Sequence, residues 1–359
     1  MAYDLQDMIL KDLFLDVTSY NFTNSKYAAG GIQMIFIQSN STNPYYNLAL
    51  EEYMFEQMDR NREYFMLWQN ANTIVVGKYQ NTLEEINQSF VDKYGLRVVR
   101  RLSGGGAVYH DLGNLNFTFV AGSREHPEFD FEKFALPVVE TLKKFGICAQ
   151  MNGRNDISID GKKICGNSQY AKKGRVLHHG CIMLDSNLQN VSDALNVKVA
   201  KFESKSVKSV RARVTTINTY AKTPISMEAF KQALIQEVFC SCGLEVYHFS
   251  PEQEKEIERL QKEKYETWDW NYGRNPLCNM KRELKFSGGL LTAQMQIEHG
   301  VIEQIKFFGD FFGNGEIWEL EKKLTGLRTD EYLKDHVEKM NVGYYIHGIT
   351  EEELCRLLK

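Results

Sequence analysis

The sequence predicts an α+β protein of two domains, and three observations carry that expectation. Runs that alternate apolar and polar residues, the period of a strand, are interspersed with runs recurring every three to four residues, the period of a helix. A heavily charged stretch, "PEQEKEIERLQKEKYE", and the turn-rich "WDWNYGRNPL" after it separate a long block from a short one. The length of 359 residues favours two domains over one. We place an N-terminal extension at 1–33, a large domain at 34–250, a connecting helix and linker at 251–274, and a small C-terminal α+β domain at 275–359.

Residues 1–33 carry no strong periodicity and end in "AAGG". "MIFIQSN" reads as a strand, and Asn43-Pro44 is a good N-cap and first-turn pair. Tyr46, Leu50, Tyr53 and Met54 then recur at helical spacing, which predicts an amphipathic helix over 44–58. "TIVVG" and "LRVVRR" read as strands joined by one short helix over "TLEEINQSFVDKYG" that stops at Gly95. In "RVVRRLSGGGAVYHDLGNLNFTF", Leu115, Phe117 and Phe119 alternate with Asn114, Asn116 and Thr118. The triple glycine therefore reads as a bend between two strands. It lacks the Gly-Lys-Ser/Thr ending of a phosphate loop and the following helix of a dinucleotide-binding turn. Phe131, Phe134, Ala135, Val138, Leu142 and Phe145 form a helical stripe closed by Gly146, with Pro137 inside it demanding a kink or a later start. A helix is expected over 227–239 and a solvated connecting helix over 251–266. "KFSGGLLTAQMQIEHGVIEQIKFFGDFFG" reads as a small sheet, with helices to the end.

Composition excludes several classes. The chain is 43% hydrophobic and 25% charged, as in ordinary globular proteins, and its net charge of −4 argues against a general nucleic-acid binder. No apolar run reaches the roughly 18 residues of a membrane span, and neither a secretory signal nor a transit pattern is visible. Seven scattered cysteines without framework spacing fit a reducing cytoplasm, where we place the protein. Cys240 and Cys242 are a close pair, but no second pair or nearby histidine supports zinc.

The stretch "NGRNDISIDGKKICGNSQYAKKGRVLHHGCIML" holds a hairpin signal at Asp160-Gly161. With those two residues as the turn, 159 faces 162, 158 faces 163, 157 faces 164 and 156 faces 165. Ile157, Ile159 and Ile164 then point to a core, while Asp156, Ser158, Lys163 and Cys165 share the other face. Asp156 and Lys163 become diagonal neighbours, and Lys162 points to solvent. That pair reads either as a surface ion pair or as part of a site. One histidine of His178-His179 has a structural reading, as buried histidines commonly do. The basic run from Lys198 to Arg213 is either a solvated loop or a phosphate-neutralising one.

Taken together, "NPYYNLALEEYMF", "VVRRLSGGGAVYHDLGNLNFTF", "GRNDISIDGKKICGNSQY", "HHGCIML", "SVRARVTTI" and "WDWNYGRNP" resemble, in the same order, motifs of the lipoate–protein ligase A family of the biotin/lipoate ligase superfamily. The likeness runs from about Met34 through the large domain and, less distinctively, the last eighty or so residues. It implies a large mixed-sheet catalytic domain of the biotin/lipoate ligase type with a small C-terminal domain. It also implies an activity: lipoic acid is activated with ATP and Mg2+ to lipoyl-AMP, and the lipoyl group is then transferred to a lysine of an acceptor lipoyl domain. The acceptors implied belong to 2-oxoacid dehydrogenase complexes or are the glycine cleavage H protein. A monomer is expected, without nucleic acid or membrane partners.

The resemblance carries roles to individual positions. Lys163 matches the catalytic lysine, whose compact ammonium suits a carboxyl oxygen passing from acid to adenylate. Arg101, Ser103, Gly104, Gly105, Gly106 and His179 match lipoate-binding positions, with Arg101 and Ser103 at the ligand's polar end and the glycine amides lining the cleft. Ala107, Asn114, Asn155, Asp156, Lys163, Arg211 and Arg213 match ATP-binding positions, and Asp156 is the candidate metal ligand. Two rivals stand beside this reading. One is an octanoyl or lipoyl transferase of the same superfamily acting through a cysteine thioester, for which Cys165 is the thiol to watch, since "GRND" itself holds none. The other is a lipoate-binding protein without catalysis.

Overall fold

The computed structural model describes residues 34–123, 129–153, 155–196, 213–240, 243–273 and 278–359. The extension at 1–33, Arg211 and most of the basic run lie outside the described residues. Strand β1 (Met34–Gln38) leads to helix α1 (Pro44–Glu56), then β2 (Glu63–Trp68) and β3 (Thr73–Val76). Asn43 caps α1 by accepting from the Tyr45 N–H at 3.2 Å, with Pro44 at the first position. The single helix expected next is two, α2 (Thr82–Glu85) and α3 (Gln88–Tyr94). Ile86 is pulled into an extended bridge with Leu195, and the Asn87 side chain then caps α3. Gly95 stops α3 in the left-handed conformation, φ 60°.

β4 (Arg97–Arg100) pairs parallel with β3, and β3 pairs antiparallel with β5 (Val108–His110). The strand read at 114–119 is β6 (Asn114–Gly122). The glycine bend therefore joins β4 to the short β5, which the alternation did not reveal, and β6 belongs to a different sheet. Helix α4 (Phe131–Lys144) runs through Pro137 without a later start and is followed by Gly146 at φ 72°. Then come β7 (Gln150–Asn152), β8 (Asp156–Ile159), β9 (Lys162–Lys172), β10 (Arg175–Met183), α5 (Leu188–Ala194), α6 (Met227–Val238) and β11 (Glu245–Val246).

The large sheet has the order β11-β1-β2-β6-β10-β9-β8-β7. It is mixed: β1 runs parallel to β11 and β2, and β2 onward pairs antiparallel. One face packs Phe117, Phe119, Ile157, Ile164 and Ile182 against Phe134, Leu142, Phe230 and Leu234 of α4 and α6. The other packs Ile35, Tyr64, Met66 and Leu177 against Leu48, Leu50 and Met54 of α1. Both faces being covered explains why β2 reads "EYFMLW" with every residue buried.

Helix α7 (Pro251–Leu260) and the wider turn Gln261–Tyr265 after it were expected to be a solvated connector. They are charged on one side only, since Ile257 and Tyr265 are fully buried in the core beside α1. The next helix, α8 (Trp268–Asn271), is clamped by Arg100, which is itself fully buried. The Arg100 guanidinium donates to the carbonyls of Gly77, Gln80, Trp270 and Asn271 and to Thr82 Oγ1, and Trp270 Nε1 donates back to the Arg100 carbonyl. The first of the paired arginines is thus a structural brace that explains "WDWN". The C-terminal domain is an antiparallel sheet, β12 (Met280–Phe286), β13 (Gly289–Glu298) and β14 (Val301–Gly309). Helices α9 (Ile317–Leu324), α10 (Leu333–Val337), α11 (Val342–Tyr345) and α12 (Glu351–Leu358) close over it.

Replacing Ile257 with Ala should lower unfolding stability by about 2–5 kcal/mol, the cost of a buried aliphatic deletion. Glu256→Ala on the exposed side of the same helix should stay within about 0.5 kcal/mol. Urea denaturation compares the two, and equal effects would restore the solvated-connector reading.

Candidate active site

The site is built on the polar face of three central strands. Cross-strand partners share a face, and His179 of β10 sits opposite Thr118 of β6 and Ser168 of β9. Two residues on, Cys181 sits opposite Asn116 and Gly166. The alternating partners, Phe117, Phe119 and His178, face the α4 core. The alternation in "NLNFTF" therefore separates core from site rather than core from solvent, and all of Asn114–Ala121 is buried.

Glu51 reaches this face from α1. Its Oε1 accepts from Thr118 Oγ1 at 2.7 Å and lies 2.8 Å from His179 Nδ1. That contact makes Nδ1 the protonated nitrogen, so Nε2 accepts from Ser103 Oγ at 2.6 Å. Ser168 Oγ lies 2.7 Å from Ser103 Oγ and 2.9 Å from the Gly104 carbonyl. Glutamate, histidine and serine here have the contacts of a hydrolytic triad. Ser103, however, is fully buried and lines neither cavity described below, so it holds the glycine loop instead of attacking a substrate. Ser103, expected at the ligand's polar end, thus stands buried beside the glycine loop and outside the lining of both cavities.

Arg101 braces the same loop from inside. Its guanidinium donates to the carbonyls of Val75, Gly104 and Gly106, with Nε near Ser103 Oγ. Burial pushes its pKa down to about 10, partly offset by Cys181 and Glu51. The glycines are required by close approach. A Cβ on Gly104 would stand 2.1 Å from the Phe311 carbonyl of the small domain, and Gly105 has φ +86°. The Gly105 N–H donates to that Phe311 carbonyl at 3.4 Å, so this amide is engaged by the small domain and does not point into the cleft. Beside the loop, Tyr79 stacks on Phe311 at 4.6 Å, and Lys78 is paired with Glu316 at 3.0 Å. Gly105, Gly106 and Ala107 still line the cavities.

The hairpin turn forms at Asp160-Gly161 as expected, with Ile159 opposite Lys162 and Ser158 opposite Lys163. A bulge then shifts the register by one, so Ile157 faces Cys165 and Asp156 faces Gly166. Cys165 is thereby turned into the core, fully buried beside Ile157, and not toward the ligand face. Its thiol pKa is raised by burial. The bulge preserves the pairing that matters: Lys163 Nζ lies 2.9 Å from Asp156 Oδ1. Burial pulls the Lys163 pKa down, but the charge and hydrogen bond of Asp156 more than offset it, so the net shift is upward. Gly166 makes room for the lysine, because a Cβ there would stand 2.6 Å from Nζ. The Lys163 backbone is held from the other side by Arg213 and Thr215, through bonds of 2.7 and 2.9 Å.

Two adjoining cavities meet at Lys163. The inner one, about 120 Å³, has a lining that includes Leu48, Trp68, Val75, Arg101, His110, Asn116 and His179. The outer one, about 550 Å³, is lined by Asn114, Asn155, Asp156, Arg213 and, from the small domain, Asp310 and Phe312. Lys163, Asn155, Cys181 and the Gly105–Val108 backbone border both. His110 accepts at Nδ1 from Asn70 Nδ2 at 3.3 Å, which leaves Nε2 buried without a partner among the described residues. Asn114 Oδ1 is likewise unpartnered. Burial, then Arg101 and His179, holds the His110 pKa down to about 3. Among the described residues no group of three or more His, Cys, Asp or Glu could hold a metal by itself. A magnesium ion held by one carboxylate and substrate phosphates needs no such group, and Asp156 on the outer cavity, a third exposed, fits that requirement.

Sequence reasoning brought Lys163, Asp156, Asn155 and the glycine loop to one place. It passed over Glu51, Trp68, His110, Asn116 and Cys181. Glu51 and His110 lay inside quoted motifs, where a carboxylate and a histidine among apolar residues were the available signal. Cys181 lay inside "HHGCIML", and Trp68 lay outside every such motif.

Comparison with known proteins adds independent findings. A family model described as the lipoyl protein ligase A/B catalytic domain matches residues 43–239, and one described as the bacterial lipoate protein ligase C-terminus matches 275–358. The chain is 42% identical over 327 residues to lipoate–protein ligase 1 of Staphylococcus aureus, covering 90% of this chain and 100% of that protein. It is 40% identical to the lipoate-protein ligase LplJ of Bacillus subtilis, with coverage of 90% and 100%. Among solved structures, Plasmodium falciparum LipL1 in complex with lipoate matches with a TM-score of 0.72 at 26% identity, over 86% of this chain and 95% of that one. A lipoate-protein ligase A bound with ATP matches with a TM-score of 0.58 at 25% identity, over 67% and 98%. A bipartite archaeal ligase from Thermoplasma acidophilum, described with its E2 lipoyl domain, matches with a TM-score of 0.61 at 27% identity, over 69% and 100%.

His178 is fully buried between Phe117 and Phe134, and burial, then His179, holds its pKa well below the ordinary value. A depressed histidine binds fewer protons folded than unfolded, so stability falls as pH drops below about 6.5. Each such histidine should contribute about 1.4 kcal/mol per pH unit until its folded pKa is reached. His178→Gln, which retains partners for Gln169 and Asn167, should reduce the slope of unfolding free energy between pH 6 and 4 by about that amount; an unchanged slope would mean His178 protonates freely in the fold.

Proposed function

Since the chain belongs to the lipoate–protein ligase family, we propose that it activates the lipoyl carboxylate with ATP and then passes the acyl group to a lysine of an acceptor lipoyl domain. One observation carries this reading: Lys163 stands where a small cavity walled in part by Leu48, Trp68 and Val75 opens into a larger one bordered by Asn114, Asp156 and Arg213. The small cavity suits an acyl chain with its ring deepest, near Trp68 and His110. The larger one, within the range of small-molecule sites, suits the nucleotide. The two reacting anions then meet at the lysine.

The first step brings a carboxylate oxygen onto the α-phosphorus, with pyrophosphate leaving. Its barrier is largely electrostatic, and preformed positive charge lowers it. The Lys163 ammonium supplies that charge, and its raised pKa keeps it protonated over the physiological range. Asp156 restrains Nζ at 2.9 Å while leaving it on a flexible stem able to follow the oxygen from acid to adenylate. Asp156 and the substrate phosphates would hold Mg2+, which supplies charge neutralisation when bound. Arg101 acts by bracing the glycine loop, and Asn114, Asn155 and Arg213 lie where the nucleotide would rest. In the second step the acceptor amine attacks the acyl carbon and AMP leaves, with Lys163 again beside the oxygen that carries negative charge.

The rival through a Cys165 thioester loses its footing, because that thiol faces the core. Lipoate-dependent exchange of labelled pyrophosphate into ATP, with Mg2+ and no acceptor, should proceed. Its absence in folded protein would overturn activation by this chain.

Lys163→Ala should lower exchange by about 10²–10³-fold with little change in stability, because a partly exposed ion pair contributes about 0–1 kcal/mol. Gly166→Ala should lower it too, by displacing Nζ, while the strand stays intact; full activity in either variant would remove Lys163 from the mechanism. Transfer requires an entry for a whole protein, yet the small domain covers the glycine loop through Gly104, Gly105 and the Lys78–Glu316 pair. Carbodiimide coupling of Lys78 to Glu316, with Glu316→Gln as control, should leave exchange intact and block transfer. Loss of both steps, or of neither, would reject domain opening as the gate.

A further inference from the structure

Cys181 is the one thiol among the described residues that lines either cavity, and it lines both. It is partly exposed, whereas Cys165 and Cys355 are buried, and the exposed Cys148, Cys240 and Cys278 lie away from the cavities. Its register explains its accessibility. The cross-strand neighbour on one side is Gly166, which has no side chain to cover the sulfur. The space above Gly166 is crossed by Lys163, with Nζ 2.6 Å from where a Cβ would be. The ammonium of the Lys163–Asp156 pair therefore lies about one strand spacing from a partly exposed thiol, and a lysine beside an accessible thiol is a setting in which cysteines react. The same cavities hold two unpartnered polar atoms, His110 Nε2 and Asn114 Oδ1, on residues 3% and 1% exposed, which mark the space as built to receive a ligand.

We propose that Cys181 is a redox-modification site within the active cavity, at which a low-molecular-weight disulfide forms a mixed disulfide and reversibly switches acyl activation off. The Cys181 sulfur, as thiolate, attacks one sulfur of the disulfide RSSR. A Cys181 Sγ–SR bond forms, the RS–SR bond breaks, and RS⁻ leaves with the electron pair and takes up the proton the thiol released. Cysteine is oxidised, half of the small disulfide is reduced, and a reducing thiol reverses the exchange. The bound R group then stands at the mouth of the 120 Å³ cavity beside Lys163, where the carboxylate and the α-phosphate must meet. The switch rests on the reading of that junction as the activation site. The modification itself depends only on the geometry around Cys181.

The test uses reduced full-length protein freed of reductant and exposed to glutathione disulfide, with peptide mass mapping alongside pyrophosphate exchange. Each molecule modified at Cys181 should lose at least about a hundredfold in exchange rate, since small displacements at reacting atoms cost that much. Reductant should restore the rate, and ATP with lipoate present beforehand should slow labelling of Cys181 but not of Cys148. Cys181→Ser and Cys181→Ala, each compared with its own untreated rate, should resist inactivation even as the exposed cysteines label. Full activity with Cys181 modified, equal inactivation of both variants, or an unlabelled Cys181 beside labelled exposed cysteines would overturn the proposal. No exchange in untreated protein would instead count against the activation reading, and ligand protection of the Cys181 peptide would still decide the modification site.

Discussion

The carboxylate of Glu51, 1% exposed, is the point on which the catalytic domain is organised. A buried charge is tolerated only when donors meet it, and here they come from two different strands: Thr118 Oγ1 on β6 and His179 Nδ1 on β10. That requirement fixes α1 against the sheet and sets the histidine tautomer. It also passes order through Ser103 to the glycine loop. The polar face of the sheet can be buried at all because this chain of groups is nearly satisfied. On this face Glu51 Oε2, His110 Nε2 and Asn114 Oδ1 are left without partners among the described residues, and His110 and Asn114 line the cavities.

The glycine loop serves two bodies at once. On its inner side Arg101 holds the carbonyls of Gly104 and Gly106. On its outer side the Phe311 carbonyl comes so close to Gly104 that no side chain fits between them. The loop that borders the acyl and nucleotide spaces is therefore also the seat of the small domain. Tyr79, packed into the small domain's core, and the Lys78–Glu316 pair reinforce that seat. Catalysis and access to the acceptor are consequently coupled through a few backbone contacts. A loop needing both left-handed geometry at Gly105 and contact on either side has few residues available other than glycine.

Lys163 illustrates how local and tertiary influences divide. Asp160-Gly161 specified the turn, and the alternation of isoleucines specified the inward face. The bulge between Ile157 and Ser158 could not be read from either. It changes the partner of Asp156 from Cys165 to Gly166, and so decides which thiol sees the ligand. Cys165 goes to the core and Cys181, from the next strand, takes the cavity.

By itself the sequence determined the elements with strong local signals: the capped helix after Asn43, the glycine stops at Gly95 and Gly146, the hairpin at Asp160-Gly161, and a small sheet in the C-terminal domain. These depend on backbone preference and periodicity within a few residues, which any chain segment carries with it. It also determined the ordered motifs that place Lys163, Asp156 and the glycine loop in one site. The tertiary structure alone decided which polar residues of an alternating strand face a cavity, because "in" and "out" look identical when both sides are buried. It alone assigned Arg100 to structure and Arg101 to the loop, since the two are neighbours in sequence at the end of β4 and differ in the carbonyls their guanidinium groups reach. It alone buried Ile257 and Tyr265 within a segment whose composition reads as solvated, because two apolar residues on one side suffice to seat a helix whose other side is charged.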